Sequence, residues 1–145
     1  MRQVAERLEG AQAAIAEVPG ATLEVIEQAS LTVLQGRAAG EALAARAEQD
    51  RPDAVFAAND LLAVGLLQAF SFAAGVRVPE DIAMVGYDDI DFASATVVPL
   101  SSVRQPARLL GRTGVELLLQ ELDGAEHDRR VRFQPELVVR DSSRA

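Results

Sequence analysis

The sequence predicts an α/β fold built on a parallel sheet, and residues 51–90 carry most of the support. Residues 54–57 and 82–86 are short apolar runs, as expected for parallel strands that are covered on both faces. Residues 61–74 lie between them and have the length and apolar content of a helix that packs on such a sheet. Together they predict a strand–helix–strand unit, and 145 residues suffice for one domain with its own core.

Polar side chains follow both predicted strands at the point where each strand ends. Asn59 and Asp60 are favourable N-caps for the helix at 61–74, and Gly75 suits its end. Asp88 follows the second strand. Because ligands of open parallel sheets bind beyond the carboxyl ends of the strands, we expect Asn59 and Asp88 to face one crevice. An amide and a carboxylate at that place suit a ligand rich in hydroxyl or ring N–H groups.

The rest of the chain supplies the other elements of such a fold. The spacing of apolar residues predicts helices over 2–18, 36–50 and 108–122. Alternating β-forming residues predict a strand over 22–27, and strand material recurs at 131–133 and 136–140. We expect a loop over 30–35 and, between Pro99 and Pro106, an extended segment over 100–105.

Composition and charge limit the classes of function. A net charge of −8 argues against direct DNA binding by these residues, because DNA affinity depends largely on basic groups that neutralise phosphates. The absence of cysteine excludes disulfides, thiol catalysis and cysteine-bound metal. His127 is the only histidine and lies in a polar stretch, where we expect a solvated turn. The sequence therefore predicts neither an enzyme nor a bound cofactor.

The acidic residues after the second strand leave an alternative open. Asp88, Asp89 and Asp91, with Asp60 nearby, are the residue types that hold magnesium in phospho-acceptor domains. Such domains also need a lysine, and all 14 basic residues here are arginine. For Asp88, ligand binding, loop capping and metal binding all remain possible interpretations.

Four motifs, RPDAVFAAND, VPEDIAMVGYDDI, PLSSVRQP and LVVRDSS, occur in this order along the chain. In sequence and spacing they resemble the effector-binding core of the lactose-repressor (LacI/GalR) family of bacterial transcription regulators. The resemblance implies a type I periplasmic-binding-protein fold, in which two three-layer α/β subdomains hinge around a small-molecule cleft. It implies that residues 1–98 form the C-terminal effector-binding subdomain, 99–130 a crossover and a helix of the first subdomain, and 131–145 a returning strand and tail. The chain is then expected to be a truncated regulator.

The resemblance also implies site residues. Arg7, in the motif Arg7-Leu8-Glu9-Gly10, is expected to reach into the cleft, and Gln105 is expected to face it. Relatives often place an aromatic side chain against the ligand from the loop at 30–35, where this sequence offers Leu34 or Gln35. The ligand-binding residues expected from residues and resemblance together are Arg7, Gln35, Asn59, Asp88 and Gln105.

The same resemblance implies partners and a mechanism. A sugar or purine-like effector closes the cleft and changes DNA binding by a helix-turn-helix headpiece outside this sequence, in a cytoplasmic homodimer. The helix at 61–74 is apolar around most of its circumference, which suggests a subunit interface or burial under a neighbouring segment. The helix at 108–122 presents a second apolar face for self-association. The alternative is a periplasmic sugar- or solute-binding protein of an ABC transporter, which has an export signal.

Overall fold

The computed structural model describes residues 2–73, 75–124 and 130–144. Its helices and strands follow in the order α1 (Arg2–Ala16), α2 (Val33–Ala44), β1 (Ala54–Phe56), α3 (Asp60–Phe72), β2 (Ala83–Asp88), β3 (Ser101–Arg104), α4 (Ala107–Leu122) and β4 (Glu136–Val138). Short 3₁₀ helices cover Glu48–Asp50, Asp91–Ala95 and Asp141–Ser143. The solvated turn expected at His127 lies outside the described residues, as does Ala74. No helix in the described ranges is both long and apolar enough to cross a membrane.

The strands form one four-stranded sheet in the order β1-β2-β3-β4. β1 pairs with β2, and β2 with β3, in parallel, whereas β3 and β4 are antiparallel. Phe56 lies opposite Val85, and Asp88 lies opposite Arg104, so the carboxyl ends of β2 and β3 are level. The predicted α/β class is confirmed, with an antiparallel strand added to an otherwise parallel sheet.

The core lies between α3 and one face of the sheet, and α2 packs against α3. Its buried side chains include Leu43 of α2, Phe70 of α3, Met84 of β2, and Leu100 before β3. Glycines let the two helices approach closely, because a Cβ on Gly65 would overlap the carbonyl oxygen of Val33, and one on Gly36 that of Leu62. α2 and the sheet therefore cover most of the apolar circumference of α3, although Leu61 and Phe72 stay exposed.

The strand predicted over 22–27 is wrong, because residues 21–28 have no regular secondary structure. Their β-forming side chains are exposed, Leu23, Val25 and Ile26 among them. The local contact is instead an ion pair of Glu24 with Arg46, whose two N–O distances are both 2.7 Å. A strand needs a neighbour that completes its hydrogen bonds, and an alternating pattern alone does not supply one.

Other elements also differ from expectation in their bounds. α2 begins at Val33, within the predicted loop, because the hydroxyl of Thr32 accepts a hydrogen bond from the N–H of Gln35 and caps the helix. α2 then ends at Ala44, well before the predicted end at residue 50. Residues 131–133 form no strand, and β4 is confined to Glu136–Val138.

Candidate functional site

Arg7 reaches from α1 to the ends of β1 and β2. Its guanidinium carbon lies 3.6 Å from the centre of the Tyr87 ring, a cation–π distance. Nη1 donates a hydrogen bond to the carbonyl oxygen of Ala58, and Nη2 lies 3.6 Å from Oδ1 of Asp88. The Arg7 side chain is only 13% exposed, so these contacts fix it at the strand ends and keep it from bulk water.

Asp88 is the carboxylate at the centre of this group. Its Oδ1 accepts a hydrogen bond of 2.9 Å from Nε2 of Gln105, which follows β3 directly. The Asp88 side chain remains 37% exposed, so a solute can still reach it. The structure therefore brings together Arg7, Asp88 and Gln105, which come from three separate parts of the chain. We call these three residues and Tyr87 the strand-end cluster.

A cavity of about 1100 Å³ lies between α1, the segment after it and residues 49–56, and it reaches the strand-end cluster at Arg7, Tyr87 and Gln105. Arg7, Tyr87 and Gln105 line it, together with Phe56 of β1 and residues of the segment after α1. Its volume is just above the range of about 300–1,000 Å³ that is usual for small-molecule pockets. Polar groups of both hydrogen-bonding types thus converge on a space large enough for a small solute.

None of the described contacts joins Asn59 or Gln35 to the strand-end cluster. Asn59 is buried, and its Oδ1 caps α3 by accepting a hydrogen bond of 3.0 Å from the N–H of Leu62. Its Nδ2 donates to the carbonyl oxygen of Leu31 at 3.3 Å, so both polar atoms of the amide have a partner within the fold. Gln35 lies in the first turn of α2, and neither it nor Leu34 is among the described residues that line the cavity.

Tyr87 and Phe56 line the cavity of the candidate site, and the sequence did not single them out. Their ring centres are 6.5 Å apart, with planes at 68°, which is an edge-to-face arrangement. Tyr87 immediately precedes Asp88 and alternates along β2 with Gly86, which faces α3. This alternation was a usable signal, because it predicts that Tyr87 lies on the face of the sheet opposite α3.

Asp89 has a different role from Asp88. Nε of Arg104 donates to its Oδ2 at 2.6 Å, and Nη2 of Arg140 forms an ion pair with its Oδ1 at 2.7 Å. Its side chain is 5% exposed. Burial opposes the ionisation of Asp89, but Arg140 and Arg104 outweigh it and hold the pKa of this carboxyl below its usual value. Asp89 therefore ties the turn after β2 to β3 and to the C-terminal segment.

The acidic residues do not gather around a common point. Asp88 contacts Arg7 and Gln105, Asp89 contacts two arginines, and Asp91 is exposed. Within residues 2–73, 75–124 and 130–144, no group of three His, Cys, Asp or Glu side chains is placed to share a metal ion. The strand-end cluster instead presents donor and acceptor groups side by side, which is chemically suited to a solute with hydroxyl or N–H groups.

Comparison with known proteins shows the family of this chain. The model of the periplasmic binding protein-like domain matches residues 2–143. The HTH-type transcriptional repressor PurR of Photobacterium profundum is 46% identical over 97 residues, which are 66% of this chain and 29% of the repressor. The chain thus spans under a third of that relative's length.

Solved structures agree with the sequence comparison. The complex of the transcriptional regulator CelR with cellobiose is 37% identical, with a TM-score of 0.84 over 96% of this chain and 42% of that one. A LacI family transcriptional regulator from Lactobacillus casei with bound sucrose is 38% identical, with a TM-score of 0.69 over 77% of this chain and 41% of that one. The chain belongs to the periplasmic binding protein-like domain family, in the group represented by the LacI-family transcription regulators.

Proposed function

We propose that this chain is the effector-sensing part of a bacterial transcription regulator and that the strand-end cluster contacts the effector. The observation that carries the proposal is that Arg7 and Gln105 line one accessible cavity and both contact the partly exposed carboxylate of Asp88, at the carboxyl ends of parallel strands. The similarity to regulators solved with cellobiose and with sucrose supports it. The relatives named as repressors favour a regulator over the solute-binding protein of a transporter.

The side chains define the kind of effector. Arg7 offers N–H donors, Asp88 offers acceptors, and Gln105 offers both. Such a set matches the hydroxyl groups of a sugar or the polar ring edge of a nucleobase. Arg7 covers one face of Tyr87, so the effector meets the guanidinium on that side and not the open ring. We propose a binding role for these groups, without chemical conversion of the effector.

The regulatory part of the proposal concerns what effector binding changes. We propose that the effector shifts a two-state equilibrium of a cytoplasmic homodimer, because it binds one arrangement more tightly than the other. Control of transcription then acts through a helix-turn-helix segment that is not among these 145 residues. The net charge of −8 fits this division, since these residues alone are poorly suited to hold DNA.

Substitutions at the strand-end cluster test the proposal in the intact gene product. We expect Arg7→Ala and Asp88→Ala each to weaken effector binding by about 1–3 kcal/mol, because each leaves polar groups of the effector unpaired. Isothermal titration calorimetry with a panel of mono- and disaccharides and purine bases identifies the effector and measures the loss. Asn59→Ala is expected mainly to lower stability, by about 0.5–2 kcal/mol, because Asn59 caps α3.

Arg37→Ala is the matched control, since Arg37 is an exposed arginine of α2 that pairs with Glu41 at the surface. It should leave the affinity unchanged. If Arg7→Ala and Asp88→Ala bind the effector as tightly as the unmodified protein does, the strand-end cluster is not the effector site.

A further inference from the structure

Asp60, the first residue of α3, is a fully buried carboxylate that the strand-end cluster does not contain. Its Oδ2 accepts a hydrogen bond of 2.9 Å from the N–H of Ile90, and its Oδ1 accepts one of 2.7 Å from the hydroxyl of Ser102. None of the described contacts of Asp60 is with a basic side chain. A buried charge without a counter-ion is costly unless hydrogen bonds stabilise it. The two donors to Asp60 therefore show which parts of the chain its carboxylate holds in place.

Both donors are connected to the turn that carries Asp88. Ile90 lies directly after the turn, and the Ser102 hydroxyl also accepts a hydrogen bond of 3.0 Å from the N–H of Asp89. One carboxylate therefore fixes the turn twice, once directly and once through a hydroxyl of β3. Burial raises the pKa of Asp60, and the neighbouring charges of Asp88 and Asp89 raise it further, against the hydrogen bonds from Ser102 and Ile90.

The turn needs such support because its backbone is unusual. Asp88 has a φ of +105° and Asp89 a φ of +50°, and side chains other than glycine rarely adopt these values. Strained residues persist where the surroundings hold them. With this backbone, the two neighbouring carboxylates have different partners. Asp88 contacts Arg7 and Gln105, whereas Asp89 contacts Arg104 and Arg140.

β2 also leaves room for the carboxylate. A Cβ on Gly86 would overlap Oδ1 of Asp60, so only glycine at this position lets the carboxylate lie against the strand. The buried charge, the hydroxyl of Ser102 and the glycine thus form one arrangement beneath the turn, on the face of the sheet opposite Tyr87.

We propose that Asp60 is a positioning residue for the strand-end cluster. Through Ile90 and Ser102 it holds the Asp88–Asp89 turn in the backbone conformation that presents the Asp88 carboxylate to Arg7 and Gln105. The inference rests on the proposed function only in treating Asp88 as an effector contact. The placement of Asp88 itself is measurable without an effector.

The side-chain amide of Gln105 is the reporter, because it donates to Asp88 in the effector-free chain. In ¹H–¹⁵N spectra of the 145-residue chain, Asp60→Asn and Ser102→Ala should each move the Gln105 side-chain signals away from their original positions. Asp60→Asn replaces one acceptor oxygen by a donor, so it cannot keep both hydrogen bonds in the same geometry. Asp91→Asn, the same substitution at an exposed carboxylate next to the turn, should leave these signals in place.

A double-mutant cycle separates positioning from a general structural effect. Asp88→Ala removes the carboxylate through which Asp60 is proposed to act, so Asp60→Asn should cause no additional shift of Gln105 in that background. An equal shift in both backgrounds would contradict the proposal, as would unmoved Gln105 signals in both Asp60→Asn and Ser102→Ala. If Asp60→Asn does not fold, Ser102→Ala with the same cycle decides the question. Failure to find an effector would affect the proposed function and leave this result intact.

Discussion

At micromolar concentration, the 145-residue chain will sediment as a dimer or a larger species. The reason is α4, which has no buried residue although one of its faces is rich in leucine. Its exposed apolar side chains are Leu109, Leu110, Val115, Leu118, Leu119 and Leu122, the last of which is 73% exposed. Burying four leucines on a partner contributes up to about 6–12 kcal/mol before the cost of association. That is comparable to the stability of a whole domain.

Substitutions on α4 test which surface associates. Leu110→Asp combined with Leu118→Asp should reduce the sedimenting species in size, because the two charges would be buried at the contact. Leu34→Asp is the control, since Leu34 is an exposed leucine of another helix, α2. Docking of α4 on a second copy is favoured over exchange of the arm 99–122, because β3 is already paired with β2 and β4. A monomeric chain with α4 in solvent would contradict the prediction.

Replacing Gly65 by alanine will destabilise the domain by about 3 kcal/mol or more. The added Cβ would overlap the carbonyl oxygen of Val33, and backbone atoms of α2 cannot move without separating the two helices. Separation loosens the core that Leu43 of α2 shares with Leu62 and Leu66 of α3. Urea unfolding followed by circular dichroism measures the change in the free energy of unfolding.

Gly10→Ala is the matched control for this prediction. Gly10 also lies inside a helix, but a Cβ there has no neighbour within 4 Å. Alanine should therefore raise stability at Gly10, by about 0.5–1 kcal/mol, because it restricts the unfolded chain and favours the helix. The same substitution is expected to have opposite signs at the two positions. A Gly65→Ala chain as stable as the unmodified one would mean that α2 and α3 are not in close contact.

Sequence patterns correctly predicted those elements that are stabilised by residues close to them along the chain. The cap at Asn59 and the apolar runs of β1 and β2 belong to this group, because each is stabilised by groups near it in sequence. The strand expected over 22–27 failed, since a strand depends on a partner that is distant in sequence. The start of α2 was missed because Thr32, in a loop-like stretch, is its cap.

β3 shows why a polar strand is hard to recognise from its own residues. Ser101 and Ser102 are fully buried, although serine is usually exposed. Their hydroxyls are satisfied by distant groups: that of Ser101 donates to the carbonyl oxygen of Arg140 at 3.0 Å, and that of Ser102 donates to Asp60 at 2.7 Å. The sequence predicted only an extended segment here, because burial is set by contacts about 40 residues away along the chain.

The residues of the candidate site, too, were predicted only in part from the local sequence. The position of Asp88 at a strand end followed from the sequence pattern, whereas Arg7 and Gln105 entered through the family resemblance. Asn59 follows a strand end as predicted, but its amide is used to cap α3 and to hold Leu31. Tyr87 was overlooked because its place beneath Arg7 depends on where α1 crosses the sheet.

The most direct test of the account is chemical-shift mapping of the 145-residue chain during titration with cellobiose, sucrose and purine bases up to millimolar concentration. Weak binding suffices for this measurement, and Tyr87, the only tyrosine, gives a ring signal that needs no separate assignment. We expect one of these compounds to shift the signals of Arg7, Tyr87, Asp88 and Gln105 most strongly, while those of residues at the contact of α2 and α3 stay in place. Shifts confined to α2 and α3, or none at the strand-end cluster with any compound of the panel, would contradict it.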